Sequence, residues 1–115
     1  MNVVTLIGNL ATEVELRDLE GERKVANFVL AVDRAEEGAD FVRVATWNAQ
    51  AEACARHLAK GRRVAVDGRL RSRSWDDRDG KRRNAVEVVA RSVEFLSARG
   101  ESGGASAAGE VGKRA

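Results

Sequence analysis

The chain has 115 residues and a mass of 12.4 kDa, with 43% hydrophobic and 33% charged residues, enough for one small domain and too little for two. No run approaches the roughly 18 apolar residues that a membrane-spanning helix needs. The opening Met1-Asn2-Val3-Val4-Thr5 has neither the basic head nor the apolar stretch of a secretory signal, so a cytoplasmic protein is expected. One cysteine, Cys54, and one histidine, His57, exclude a disulfide framework and a Cys/His zinc site. The net charge of +2 is unevenly spread. Residues 1–59 hold six basic and ten acidic side chains, residues 60–83 hold ten basic and four acidic, and residues 84–115 balance at four each. An excess of six positive charges within 24 residues points to a surface that faces a polyanion, or to a plain solvated face.

Taken in order, the elements are mostly strands. Val3 to Leu10 is an apolar strand, a shorter one follows near Glu13 to Arg17, and Leu19-Glu20-Gly21-Glu22 reads as a turn. Lys24 to Asp33, with Val25, Phe28, Val29, Leu30 and Val32, is the next strand, and Phe41 to Trp47 alternates strictly. Asn48 to Ala59 is helical, with Asn48 as N-cap, Gly61 past its end, and Ala51, Cys54, Ala55 and Leu58 on one face. Arg62 to Trp75 and Ala85 to Leu96 are long strands joined by a hairpin at Asp79-Gly80. Phe28 and Phe95, set in aliphatic runs, belong to the core. This order suggests a small closed barrel with one helix plugging an end. Residues 98–115 are Gly/Ser/Ala-rich and too poor in large apolar side chains to fold, so the expected organisation is a folded domain over 1–97 and a flexible tail over 98–115.

Two strands carry the functional argument. Side chains alternate between the faces of a strand. One face of the first receives Phe41, Arg43, Ala45 and Trp47, while Val42, Val44 and Thr46 point to the core. On the second, Arg69, Arg71, Arg73 and Trp75 share a face opposite Leu70, Ser72 and Ser74. Each outer face thus mixes arginine with aromatic rings. Rings offer sequence-tolerant platforms for unpaired bases, and guanidinium groups track phosphates. Duplex DNA hides its base faces, so the mixture points to single-stranded nucleic acid. Each residue also has a plainer reading: Trp47 as core at a strand–helix junction, Phe41 as a barrel-end plug, Trp75 as core near a hairpin.

The chain resembles the bacterial single-stranded DNA-binding protein family from Met1 to about Leu96. The likeness is carried by Asn2-Val3-Val4-Thr5-Leu6-Ile7-Gly8-Asn9-Leu10, Glu15-Leu16-Arg17, Val25-Ala26-Asn27-Phe28-Val29-Leu30-Ala31, the Asp40–Trp47 strand, Lys60-Gly61, Val66 to Trp75, and Glu87-Val88-Val89-Ala90. The resemblance implies a five-stranded oligonucleotide-binding (OB) Greek-key barrel with its helix between strands 3 and 4. It also implies a homotetramer, cytoplasmic and nucleoid-associated, that binds and protects single-stranded DNA in replication, repair and recombination. Matched position by position, the family's stacking aromatics correspond to Phe41, Trp47 and Trp75, and its phosphate-meeting cations to Arg43, Lys60, Arg71 and Arg73. Arg69 joins them from the alternation alone.

Two departures stand out. The loop Arg34 to Asp40 is net acidic and lacks the aromatic found in better-studied members, so it is expected to add little stacking. The ending Glu110-Val111-Gly112-Lys113-Arg114-Ala115 lacks the usual acidic tip with its terminal phenylalanine, which puts tip-dependent recruitment of replication and repair proteins in doubt.

Other chemistry is not indicated. Asp76-Asp77-Arg78-Asp79-Gly80 fails the register of a calcium loop, and there is no phosphate-binding P-loop motif. Cys54 and His57 lie three apart on one helix with Cys54 facing the core, a poor catalytic pair. No enzyme activity, cofactor, metal or membrane partner is expected. The competing reading is a primosomal-type or adaptor OB paralogue that acts through protein contacts and binds DNA weakly. Stacking platforms do not separate DNA from RNA.

Overall fold

Alternating apolar residues over most of the chain produce six strands and one α-helix in a computed structural model that describes residues 1–96. In chain order they are β1 (Val4–Leu10), β2 (Glu15–Leu19), β3 (Arg23–Asp33), β4 (Ala39–Trp47), α1 (Asn48–His57), β5 (Arg63–Asp76) and β6 (Arg82–Phe95). The expected tail 98–115, its tip and the boundary at residue 97 lie outside the described residues.

The strands form one sheet in the order β1-β5-β6-β4-β3-β2, and β1 also pairs with β3 through Asn9↔Ala31 and Leu10↔Leu30, which closes the sheet on itself. β1 and β2 run one after the other along β3, since Glu15↔Asn27 continues where Leu10↔Leu30 stops. The four residues 11–14 between them face only Phe28 and Val29 of β3. Across this break the Ala11 N–H donates to the Val29 carbonyl (2.7 Å), and the Val29 N–H donates to Thr12 Oγ1 (3.0 Å). Counted as one interrupted strand, β1 and β2 give the five-stranded OB barrel, with the helix between its third and fourth strands. All neighbouring pairs are antiparallel except β4 and β6, which run parallel through Val44↔Val88 and Ala45↔Val89.

The barrel interior holds Leu10, Phe28, Leu30, Val44, Val64, Val66 and Val88, and Cys54 and Leu58 of α1 seal one end. Phe95 is only half-buried and packs against this core beside the His57 ring, at 6.1 Å between centroids. Thr46 faces inward as alternation requires, and its buried hydroxyl donates to the Ala26 carbonyl (3.1 Å).

Several boundaries differ from those read in the sequence. β2 continues to Leu19, and a single 3-10 turn, Glu20–Glu22, makes the connection to β3. α1 ends at His57, because Leu58 leaves the helix in an extended conformation and drops its side chain into the core. Asn48 is not a helix cap. Its φ is 56°, and its Oδ1 accepts from the Lys24 N–H (3.1 Å), tying the helix start to β3. The Asp79-Gly80 hairpin forms as expected, with Gly80 at φ 78°.

Beyond the barrel, past the last β4–β6 pair at Val88, β5 and β6 continue as a two-stranded arm from Arg71↔Glu87 to Asp76↔Arg82. A register shift precedes it beside Gly68, where β6 carries Arg91 as an extra residue between Ala90 and Ser92.

Candidate nucleic-acid interface

β4 lies between β3 and β6, so its outer face is the centre of an open surface. Phe41, Arg43, Ala45 and Trp47 occupy it in that order, while Val44 and Thr46 are fully buried on the other side. Phe41 is 69% exposed, Arg43 is exposed and Trp47 is half-buried. Ala45, although it faces outward, is 1% exposed, because Asn27 flanks it on β3 and Val89 on β6.

On β5, Arg69, Arg71, Arg73 and Trp75 share the outer face as alternation predicts. Their cross-strand partners on β6 are Val89, Glu87, Ala85 and Arg83. The parallel β4–β6 register brings Arg71, Glu87 and Arg43 toward one row across three strands. Trp75 is 39% exposed on the arm, and the Arg73 guanidinium lies 5.2 Å from its ring centroid, a cation–π contact. Because β5 runs antiparallel to β6 and β4 parallel to it, Phe41 and Trp75 stand toward one end of the face and Trp47 toward the other.

Between these strands lies a groove of about 290 Å³ walled by Arg43, Ala45, Trp47, Arg71, Arg73 and Glu87 on one side and by Glu15, Arg17, Leu19, Val25 and Asn27 on the other. Glu15, Asn27 and Arg43 also border a second depression, which runs on past Thr12, Glu13 and Val14 at the break between β1 and β2. The structure therefore joins four expected residues, Arg43, Trp47, Arg71 and Arg73, in one groove. Phe41, Arg69 and Trp75 share its face without walling it. Lys60 stands apart, in the exposed connection between α1 and β5, where its N–H donates to Glu13 Oε1 (3.3 Å) near the second depression.

Among the groove residues that the sequence reading did not assign to the site are Arg17, Asn27 and Glu87. Arg17 and Asn27 lie on strands β2 and β3, whose outer faces carry no aromatic. Only the β2–β3–β4 pairing brings them beside Arg43 and Trp47. Glu87 is 3% exposed and is the buried acid of the groove. Arg71 donates to its Oε2 from Nε (3.1 Å) and from Nη2, and Arg73 Nη1 lies 3.9 Å from Oε1. Among the described residues Arg43 makes no ion pair, so its guanidinium faces the groove uncompensated.

The remaining titratable features serve structure. Burial pushes the Cys54 thiol above its ordinary pKa, against a weaker opposing hydrogen bond with Thr46, which leaves it a protonated packing group. At the arm's tip, the Asp77 carboxylate accepts from the Asp79 and Lys81 N–H groups (2.9 Å each) and from Arg83 Nε (2.8 Å). That carboxylate is engaged in the turn. No described helix is long and apolar enough to cross a membrane.

The chain matches the Single-strand binding protein family over residues 1–96. It is 43% identical over 102 residues to the "Single-stranded DNA-binding protein 3" of Clostridium acetobutylicum, covering 84% of this chain and 71% of that one. It is 43% identical over 106 residues to the "Single-stranded DNA-binding protein" of Halalkalibacterium halodurans, covering 87% and 63%. A third relative, the "Single-stranded DNA-binding protein 2" of Listeria innocua, is 42% identical over 112 residues, covering 92% and 70%. The matched part spans about two thirds of the length of these relatives.

Proposed function

The chain belongs to the single-strand binding protein family, and on that footing we propose that it binds single-stranded DNA without sequence preference, as a non-enzymatic homotetramer in the bacterial cytoplasm on the nucleoid. Its role is to hold and protect exposed strands in replication, repair and recombination. One observation carries the reading: an aromatic ring, an unpaired guanidinium and a continuous groove converge on the outer face of β4.

The mechanism follows from that placement. Unpaired bases present flat apolar faces, and Trp47 at one end and Phe41 and Trp75 at the other offer rings to stack on. Each stacked base contributes roughly 1–3 kcal/mol whatever its identity, so affinity does not depend on sequence. The backbone between stacked bases passes Arg43 and Arg73, with Arg69 and Lys60 along its continuation. These cations displace the counterions of the strand, so binding weakens as salt rises. Arg71 lines the same wall but is engaged by Glu87.

The two tryptophans make the test direct. Titration with oligo-dT, followed by intrinsic fluorescence at two salt concentrations, should give strong quenching that saturates and weakens with salt. Folded protein that shows neither quenching nor binding at low salt would overturn the reading in favour of an adaptor that docks other proteins.

A further inference from the structure

A buried carboxylate in a groove that attracts a polyanion is an unexpected feature. Glu87 sits directly across the arm from Arg71, at the point where the arm leaves the barrel, and its side chain is 4% exposed. Arg71 meets it with two donors on one oxygen, whereas Arg73 reaches the other oxygen only at 3.9 Å and leans on Trp75. Hydrogen bonds between a guanidinium and a carboxylate are charge-assisted, roughly twice as strong as those between neutral groups. Withdrawing Arg71 toward a phosphate would leave the buried Glu87 carboxylate only the 3.9 Å contact of Arg73, and a poorly paired buried charge is strongly unfavourable.

From this geometry we infer that Arg71 is a positioning residue and not a phosphate contact. Its charge is neutralised by Glu87, and the pair sets the effective charge of the groove, leaving Arg17, Arg43 and Arg73 as the groove's guanidinium groups available to the strand. The inference rests on the single-stranded DNA reading and deepens it. It also separates two arginines, Arg71 and Arg73, that sequence alternation treats alike.

The slope of log affinity against log salt counts the phosphates neutralised, at about 0.7 per charge for a single strand. The measurement is that slope for oligo-dT with the wild-type chain, with Glu87→Gln, and with the double variant Arg71→Gln/Glu87→Gln, each checked for folding by circular dichroism. The double variant removes the pair together and leaves no buried charge, so its slope should equal that of the wild type. Glu87→Gln alone frees one guanidinium and should steepen the slope by about 0.7. A double variant shallower than wild type by that amount would show Arg71 already on a phosphate and overturn the inference. An unchanged slope in folded Glu87→Gln would overturn it as well. Should Glu87→Gln not fold, the double variant decides alone. Wild-type protein that binds no oligo-dT would instead refute the functional reading beneath it.

Discussion

Asn2 and Leu70 exchange two hydrogen bonds that take the place of a backbone ladder step. The Asn2 Nδ2 donates to the Leu70 carbonyl and the Leu70 N–H donates to Asn2 Oδ1, both at 2.8 Å. The β1–β5 ladder ends at Val4↔Gly68, so a side-chain amide carries the pairing two residues further, to the foot of the arm. Leu70 is flanked by Arg69 and Arg71, and the clamp therefore fixes the backbone from which both arginines project.

Asn2→Ala should leave the barrel intact and loosen that foot. Two exposed hydrogen bonds at about 0.5–1.5 kcal/mol each set the upper range of the loss. The expected result is faster hydrogen exchange at the Leu70 amide with core amides unchanged. Unaltered exchange at Leu70 would mean the clamp does not hold the arm in solution.

Gly68 is required by a close approach between strands. A Cβ built there would stand 2.9 Å from the Val89 carbonyl carbon, closer still to its oxygen, and 3.0 Å from Ala90 Cα. These are backbone atoms and cannot rotate away. Gly68→Ala should destabilise the fold by about 1–3 kcal/mol, the usual range for overpacking. A lower urea midpoint at unchanged m-value is the expected signature. A wild-type midpoint would mean that β6 can retreat without loss.

Much of this fold was legible because its signals are local. The strict alternation of residues 41–47 separated the Val44 and Thr46 face from the Phe41 and Arg43 face, and Gly80 marked its hairpin. The misread details depend on contacts between distant segments. Asn48 has the chemistry of a helix cap, yet its Oδ1 is taken by Lys24 on β3. Ala45 is buried by neighbours that only the sheet order supplies. Glu87 reads in sequence as one acid within an apolar strand. Its pairing with Arg71, 16 residues away, requires the β5–β6 register. Arg17 and Asn27 enter the groove by the same non-local route.

The arm's tip gives a pH dependence with a definite sign. Hydrogen bonds from the Lys81 N–H and from Arg83 hold the Asp77 carboxyl below its ordinary pKa, against an opposing effect of burial that exceeds the lesser contribution of the Asp79 N–H. A carboxyl depressed in the folded state stabilises it above the ordinary Asp pKa of about 3.9. That stabilisation fades as pH falls through the ordinary range toward the lower folded value. Hydrogen exchange at the Asp79 and Lys81 amides, corrected for intrinsic rates, should therefore show protection at neutral pH that declines below about pH 4. In Asp77→Asn the charge is absent, and protection should be weaker at neutral pH and flat through the acid range. Equal pH profiles in the two proteins would refute the assignment.

Trp75 and Trp47 share a chemical role on the proposed face but differ in what else they support. Trp75 projects from a two-stranded arm, with the Arg73 guanidinium of the same strand over its ring and Arg83 opposite it on β6. Trp75→Ala should leave the unfolding midpoint nearly unchanged. It should weaken oligo-dT binding by about 1–3 kcal/mol, or roughly 5- to 150-fold. Trp47 is half-buried at the junction of β4 and α1, opposite the buried Val25. Trp47→Ala should therefore lower both stability and affinity. Quenching by oligo-dT in each single variant reports the remaining ring, so the pair also shows which end of the face the strand reaches. If Trp75→Ala unfolds the protein, the ring packs in the fold rather than on DNA. If it folds and binds like wild type, the strand stays within the Trp47 groove and the arm lies outside its path.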